Sequence, residues 1–282
     1  MTAQQLIKEA LNRLKRSGEH HVFLSDRSRD LINTLSQLTS ETHRQSNQSQ
    51  SDQSHSDQSN QSVGLKTSEL TRSFLPELPK SNKADRMIAL KESYQSFLAN
   101  EKLLFGQGPL DAKLIFLSEC PSSGDFTKNT LYTGEVQKLL QKIFAAMGVD
   151  SSEVYFTSLI KSKAFAHKWM QNPNQSSTGL NHSLEYLNHE LSILQPEVIV
   201  LLGADAYAAL YKDTAQSDSF QSVQGKQLSY RGIDLIPTVH PRHLLLKDTL
   251  ESKHSFWQAM LAAMHCLGLP ISEAQRNYFK KR

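Results

Sequence analysis

Side chains that could bind a polar ligand or assist bond cleavage follow four apolar runs of the sequence. In chain order they are Glu119 with Asp125, Ser158 with Lys161, Gly203, and His240. A carboxylate can orient water or stabilise a cation, and a hydroxyl or an imidazole can donate a hydrogen bond. A glycine lets the backbone approach a ligand closely. The sequence therefore predicts one polar site that several loops build together.

The apolar runs before these residues have the composition of strands, and helical patterns alternate with them. The predicted strands are residues 113–117, 154–160, 197–202 and 233–239, and the predicted helices are residues 134–147, 184–194, 204–211 and 253–267. Strands that alternate with helices are typical of parallel sheets with right-handed crossovers. We therefore expect an α/β fold, a three-layer α/β/α sandwich with a central, mainly parallel four-stranded sheet. The site should lie beyond the carboxyl ends of its strands.

His240 lies in the segment PTVHPRHLLL, residues 237–246, and Pro241 follows it directly. Proline disfavours helix at the residue before it, so His240 is expected in an extended turn at the end of a strand. There the histidine could be a packing residue, a ligand, or the working part of a site. Composition does not distinguish these three roles.

Length and composition bound the class of protein. The chain has 282 residues, 38% of them hydrophobic, and a net charge of +3. Nucleic-acid binding would therefore require clustered basic residues. The two cysteines, Cys120 and Cys266, exclude a disulfide framework and a four-cysteine metal site. The sequence has no 18-residue apolar stretch and no secretory apolar core, so we expect a soluble cytoplasmic protein associated with the nucleoid.

Composition also divides the chain into four parts. Residues 1–38 have an amphipathic helical pattern and could dock a protein partner, whereas residues 39–62 contain no aliphatic or aromatic side chain. Such a Ser-, Gln- and Asn-rich segment cannot bury enough apolar surface to fold, so residues 39–79 are expected to be a flexible linker. A compact domain is predicted over residues 80–270, and a basic tail over residues 271–282.

Five segments carry a resemblance to a known family. They are FGQGPLDAKLIFLSECP (105–121), YTGEVQKLL (132–140), VYFTSLIKSKAF (154–165), QPEVIVLLGADAYAALY (195–211) and TVHPRHLLL (238–246). In this order and spacing they resemble the motifs of the uracil-DNA glycosylase superfamily, and they are most similar to its iron–sulfur, family 4 branch. The resemblance leaves out roughly the first 80 residues.

The resemblance implies an enzyme that flips uracil out of DNA and hydrolyses its N-glycosidic bond in base excision repair. DNA containing uracil or another damaged base is then the expected partner. His240 corresponds to the histidine whose donor faces the uracil O2, and Tyr132 corresponds to the phenylalanine that stacks on the base. Glu119 and Asp125 fall on acidic motif positions. Either could orient water or stabilise the sugar cation, and either could instead be a solvated turn residue or a helix cap.

The resemblance also predicts further residues of the base pocket. Cys120 and Pro121 belong to the turn whose backbone amides would bind the same uracil oxygen. Ser158 and Gly203 are expected to line the pocket, although a tight strand-to-helix turn is sufficient to explain Gly203.

The predicted DNA contacts are Lys161, Arg242, His243 and Leu244. Leu244 would be an apolar wedge in the minor groove, and the basic side chains would contact phosphates. The leucines at 244–246 could instead belong to the core. Other basic residues expected to border the site are Lys163, Lys168, Arg231 and Lys247, and the alternative for this border is an ordinary solvated face.

Several positions depart from the family pattern. Ser158 stands where the family has an asparagine, and a hydroxyl cannot pair bidentately with a base edge. This loss removes roughly 1–3 kcal/mol of discrimination. Ser118 and Ser122 replace motif glycines. Ser162 and Ser183 stand at two cluster-cysteine positions, so neither an iron–sulfur cluster nor any other metal or cofactor is predicted.

Three functions remain open on this basis. The first is a DNA glycosylase that works as a monomer without a cofactor. The second is a catalytically weakened relative that binds DNA or a partner, which Ser158 and the altered glycines motivate. The third, the least favoured, is a nucleotide or small-molecule hydrolase that uses the same edge of the sheet.

Overall fold

The computed structural model describes residues 79, 81–171, 177–211, 218–247 and 249–279. The chain divides into units of residues 1–70 and 71–282, and every described residue belongs to the second unit. The helical segment predicted for residues 1–38 lies outside the described residues. So does the linker predicted for residues 39–79, apart from residue 79. The domain boundaries therefore stay predictions.

The described residues form strands and helices that alternate along the chain. The strands are β1 (Leu114–Ser118), β2 (Val154–Ser158), β3 (Val198–Leu202), β4 (Leu228–Tyr230) and β5 (Ile233–Thr238). The helices are α1 (Lys83–Phe97), α2 (Ser123–Lys128), α3 (Glu135–Met147), α4 (Lys163–Gln171), α5 (Ser177–Leu194), α6 (Ala204–Leu210), α7 (Phe220–Val223), α8 (Pro241–Leu246), α9 (Leu250–Cys266) and α10 (Glu273–Arg276). Each of the four strands and four helices predicted between residues 113 and 267 overlaps an observed element of the same type.

The five strands form one sheet in the order β2-β1-β3-β5-β4. As predicted, four strands are parallel to one another, namely β2, β1, β3 and β5. The strand β4 is antiparallel to β5. The prediction of a four-stranded sheet is corrected by this fifth strand, which has only three residues and lies at the edge. The left-handed residues Arg231 (φ 53°) and Gly232 (φ 82°) make the tight turn from β4 to β5.

The helices cover both faces of the sheet. On β2, the Tyr155 hydroxyl donates a hydrogen bond to Glu190 on α5, whereas the ring of Phe156 lies 5.9 Å from the ring of Phe144 on α3. Successive side chains of a strand point to opposite faces, so α3 and α5 cover opposite faces of the sheet. β1 and β3 are buried along their full length because both faces are covered. The three-layer α/β/α prediction is confirmed.

Residues beyond 270 also contact the domain. The Trp257 indole on α9 donates a hydrogen bond to the Gln275 carbonyl at 2.8 Å, and the Gln275 side-chain amide donates to the Ala146 carbonyl at 2.8 Å. These bonds join α10 to α9 and to the end of α3. In the part of the chain that the structure describes, no helix has both the length and the apolar composition needed to cross a membrane.

A buried ion pair connects the end of β2 to α5. Lys161 and Glu190 are both fully buried, with 3.0 Å between Lys161 Nζ and Glu190 Oε2. Lys161 also donates to the Thr157 hydroxyl and to the Ser158 carbonyl. Burial lowers the Lys161 pKa, and the adjacent Glu190 carboxylate opposes that effect. The predicted contact of Lys161 with DNA is therefore wrong, because its ammonium faces the interior.

The buried pair generates a stability prediction. Lys161→Met should lower the free energy of unfolding by about 3–5 kcal/mol, because Glu190 keeps a buried charge without its cation. Lys161→Met combined with Glu190→Gln should recover much of that loss. Urea denaturation measures both values, and the matched control is Lys163→Met at an exposed neighbouring position. Equal losses in Lys161→Met and the control would contradict the prediction.

Candidate active site

The four parallel strands end at one level. Ser118 at the end of β1 is in register with Ser158 of β2 and with Leu202 of β3, and Leu202 is in register with Thr238 of β5. The segments that begin at Glu119, Leu159, Gly203 and Val239 therefore leave the sheet at a common edge. The predicted meeting of these segments is confirmed.

His240 is the N-cap of α8, and its ring orientation is set by the backbone. The Arg242 N–H donates a hydrogen bond to His240 Nδ1 at 3.0 Å. A neutral imidazole that accepts at Nδ1 carries its proton on Nε2, so Nε2 is the available donor. Burial and the Arg242 charge lower the His240 pKa to about 4, and Asp125 opposes them slightly. His240 is therefore an uncharged donor near neutral pH.

The carboxylate of Glu119 lies beside His240 and is partly shielded from solvent. Its Oε2 atom is buried and has no hydrogen-bond partner among the described residues. The Glu119 pKa is raised to about 7, mainly by burial and to a smaller extent by the Asp205 charge, whereas a backbone hydrogen bond and the Arg242 charge act in the opposite direction. Sequence reasoning missed Asp205, whose only sequence signal is its place in the first turn of a helix that starts at the sheet edge.

Gly203 provides the space that Glu119 occupies. Its φ of 103° is one that other residues rarely adopt, and a Cβ at this position would lie 3.1 Å from Glu119 Oε2. Among the residues that line an open cavity of about 480 Å³ are Glu119, Gly203, Asp205, His240 and His243. The carboxylate and the imidazole thus reach the same cavity.

Asp125 is a buried connector between two loops. Its Oδ2 accepts from the Ser122 N–H at 2.8 Å, and its Oδ1 accepts from both the N–H and the hydroxyl of Thr133 at 2.8 Å. The Ser122 hydroxyl accepts in return from the Asp125 N–H, which completes a capping box on α2. Three protein donors bind this carboxylate, which agrees with the helix-cap alternative, and the predicted role of Asp125 in orienting water stays a prediction.

Tyr132 forms part of the wall opposite His240. The residue is buried with a left-handed φ of 55°, its ring lies 6.0 Å from the His240 ring, and its hydroxyl donates to the Thr157 carbonyl at 3.3 Å. Cys120, Pro121, Tyr132, His240 and Arg242 line a second cavity of only about 10 Å³. That volume is about what one water molecule requires. A base could enter only if the surrounding loops separate.

Other predicted residues divide into accessible and buried ones. Arg242 is exposed and His243 is partly exposed, so both can reach a ligand at this edge. Ser158 is fully buried, and its hydroxyl donates to the Ile160 carbonyl at 2.9 Å. Ser158 lines neither cavity described above, which corrects its predicted place in the pocket.

Two further predictions about DNA contacts are wrong. Leu244 is only 5% exposed and packs in the core, so it is not a wedge. The exposed leucines of α8 are Leu245 and Leu246. Arg231 precedes β5 and therefore lies at the amino end of that strand, away from the site.

Comparison with known proteins defines the class. A family model described as the uracil DNA glycosylase superfamily matches residues 105–262, which is more than half of the chain. The chain therefore belongs to the uracil DNA glycosylase superfamily.

The named relatives include enzymes of the type-4 branch of this superfamily. The chain is 26% identical over 149 residues to a type-4 uracil-DNA glycosylase of Thermotoga maritima, covering 52% of this chain and 74% of that protein. It is 23% identical over 154 residues to the type-4 enzyme of Archaeoglobus fulgidus, covering 53% and 75%. It is also 29% identical over 147 residues to a DNA polymerase of Bacillus phage SP01, where the match covers 52% of this chain and only 15% of the polymerase.

The residues at the predicted cluster positions do not fit an iron–sulfur cluster. The whole chain has two cysteines, fewer than the four ligands such a cluster takes, and they lie in different elements. The Ser162 hydroxyl donates to Glu101 and accepts from the Phe165 N–H. Ser183 is buried on α5. Hydrogen bonds and packing thus occupy this region.

The connecting role of Asp125 can be tested by unfolding. Asp125→Asn should lower the free energy of unfolding by about 2–3 kcal/mol, because an amide nitrogen would then face one of the N–H donors. Thr133→Val removes only one hydroxyl donor and should cost about 0.5–1.5 kcal/mol. Urea denaturation of both variants gives the comparison. An Asp125→Asn loss no larger than that of Thr133→Val would contradict the connector role.

The raised pKa of Glu119 generates a pH prediction. Between about pH 4.5 and 7 the folded chain holds this proton more tightly than the unfolded chain, so the contribution of Glu119 to stability falls as pH rises. Glu119→Gln should therefore gain about 1–3 kcal/mol over wild type between pH 5 and pH 8. The contribution of His240 has the opposite pH dependence, and it cancels when the free energy of unfolding of one protein is subtracted from that of the other. Glu153→Gln, at an exposed site, is the control, and a flat difference would refute the assignment.

Proposed function

We propose that the chain is a DNA glycosylase that takes uracil, or a related deaminated base, out of DNA and hydrolyses its N-glycosidic bond in base excision repair. The observation that carries this proposal is the state of His240. It is an uncharged imidazole with its Nε2 donor available, at the sheet edge where superfamily membership leads us to expect the base.

The proposed reaction breaks the bond between the sugar C1′ and the base nitrogen. Its electron pair leaves with the base, and negative charge develops on the base oxygen. The His240 Nε2–H donates to that oxygen, and backbone amides of the turn that includes Cys120 add further donors. Preorganised donors stabilise such charge strongly because they need no rearrangement during the reaction.

Glu119 is the carboxylate that we assign to the sugar side. One oxygen of Glu119 has no protein partner, whereas both carboxylate oxygens of Asp125 accept hydrogen bonds from protein donors. An ionised Glu119 would stabilise the positive sugar and orient a water molecule. The water oxygen then bonds to C1′, and one of its protons passes to the Glu119 carboxylate, while the base anion takes up a proton from solvent.

Arg242 and His243 are the proposed phosphate contacts because both are accessible beside His240. Leu246, which is 78% exposed, replaces Leu244 as the proposed apolar wedge. We further propose that the protein acts on DNA as a monomer in the cytoplasm.

A second function, DNA or partner binding without base release, is favoured by one specific observation. The cavity between Tyr132 and His240 holds about one water molecule, and the Ser158 hydroxyl is committed to a backbone carbonyl. A chain whose base pocket does not open would bind DNA and leave the base in place.

Release of free uracil from a labelled oligonucleotide separates the two functions. Wild type should release uracil, and His240→Ala should reduce the rate about 10²–10³-fold through loss of one donor to the leaving base. His240→Gln, which keeps an N–H donor, should retain more activity than His240→Ala. Equal thermal stability of the variants would exclude misfolding.

Two other outcomes would change the conclusion. If wild type releases no base but binds DNA with an affinity that falls steeply with salt, the binding function is the better one. If wild type is inert and Ser158→Asn gains activity, the scaffold is intact and its base preference has changed.

A further inference from the structure

The segment of residues 157–161, at the end of β2, is fully buried beneath the candidate active site. Its Leu159 N–H donates a hydrogen bond to the Ser118 carbonyl at 2.8 Å, and its Ile160 N–H donates to the Glu119 carbonyl at 2.8 Å. These two bonds fix the start of the turn that carries the Glu119 carboxylate. The position of that carboxylate therefore depends on the conformation of this segment.

The same segment holds Tyr132, which forms the wall opposite His240. The Thr157 carbonyl accepts from the Tyr132 hydroxyl at 3.3 Å, and the Tyr132 ring lies 6.0 Å from the His240 ring. Tyr132 has a left-handed φ of 55°, a conformation that persists in a bulky residue only where its surroundings hold it. The Glu119 turn and Tyr132 are thus both anchored to residues 157–161.

The buried Lys161–Glu190 pair fixes this segment from the side of α5. Lys161 Nζ donates to the Thr157 hydroxyl at 2.7 Å and to the Ser158 carbonyl. Glu190 Oε2 lies 3.0 Å from Lys161 Nζ and accepts from the Thr157 hydroxyl at 2.9 Å. The two charges and one hydroxyl therefore contact each other in a closed set at the end of β2.

The Ser158 carbonyl needs the Lys161 donor because β2 is an edge strand of the sheet. Phe156, two residues earlier, exchanges both of its backbone hydrogen bonds with Gln107 on the outer side of β2. Backbone groups two residues apart on a strand point the same way, so the Ser158 carbonyl also faces away from β1. A buried carbonyl without a donor is costly, and the ammonium supplies that donor.

We propose that Lys161 and Glu190 are positioning residues of the candidate active site, which act through residues 157–161 on the Glu119 turn and on Tyr132. The proposal rests on the proposed function, because it assigns to this pair an effect on base release. Both side chains are 0% exposed, so neither contacts a substrate. Lys161 provides the donor, and Glu190 provides the opposite charge that a buried ammonium requires.

Replacement of both charges separates this role from ordinary stabilisation. Lys161→Met combined with Glu190→Gln leaves no unpaired buried charge, so the fold should persist, yet the Ser158 carbonyl loses its donor. The rate of uracil release by excess enzyme should fall about 10- to 100-fold, because small displacements of reacting groups cost that much. Affinity for a probe whose sugar carries a 2′-fluorine, which hinders cleavage, should be unchanged, since Arg242 and His243 remain accessible.

A matched control exists at the opposite end of the sheet. Lys113 and Glu197 form an exposed ion pair of 2.7 Å, and they lie directly before β1 and near the start of β3. Lys113→Met combined with Glu197→Gln makes the same two substitutions away from the site. This control should leave both the release rate and the affinity for the probe unchanged.

Thr157→Val is a second variant, and it keeps the ion pair. It removes only the hydroxyl that both charged groups contact. The release rate should fall about two- to tenfold through loss of these hydrogen bonds. Added to the double variant, Thr157→Val should cost less than it does in wild type, because both changes interrupt the same set of contacts. If the double variant does not fold, Thr157→Val decides the question.

Amide hydrogen exchange tests the positioning role without reference to activity. In the double variant, exchange should be faster than in wild type at residues 118–122, at residues 157–161 and around Tyr132, and unchanged in β3 and β5. The control pair should leave exchange in all of these segments as it is in wild type.

Several results would overturn the proposal. A full rate of release in the double variant and in Thr157→Val would do so, as would a loss explained entirely by weaker binding of the probe or by lower thermal stability. If wild type releases no base, the proposed function fails by itself. Faster exchange at the three segments would then still support the positioning role, and unchanged exchange would refute it.

Discussion

The level ending of four parallel strands is the constraint on which the rest of the structure depends. Because Ser118, Ser158, Leu202 and Thr238 share one register, the segments after them meet at a single edge. Helices cover both faces of the sheet, so a shift in the register of the strands would expose apolar side chains. The histidine, the carboxylate and the glycine are thereby placed together although they are far apart in the chain.

Burial then determines the charge state of that edge. It disfavours both the imidazolium of His240 and the carboxylate of Glu119, so it lowers the pKa of the histidine and raises the pKa of the glutamate. Arg242 acts on both groups, because its charge lowers the pKa of each. The same residue also orients the histidine through its backbone N–H. Arg242 thus influences the His240 donor, the Glu119 carboxylate and the surface that a ligand would contact.

Near Ser162 and Ser183, the predicted cluster positions, a buried ion pair stabilises the domain. The buried Lys161–Glu190 pair, with hydrogen bonds from Tyr155 and Thr157, connects β2 to α5. Gly106 is necessary beside it, because a Cβ there would lie 2.4 Å from the Tyr155 hydroxyl. A buried pair restricts how the helix sits on the strand, since each charge requires the other.

The sequence by itself determined the fold class, the four parallel strands and the edge at which His240, Glu119 and Gly203 meet. These follow from local signals: continuous apolar runs, helical spacing, and a proline after the histidine. Only the tertiary structure decided which side chains are free to act. Lys161, Leu244, Ser158 and Asp125 each have the type expected of a site residue, yet packing of the folded chain buries all four, and hydrogen bonds or an ion pair occupy polar atoms of three of them. The edge strand β4 was also missed, because three residues are too few to show the period of a strand in the sequence.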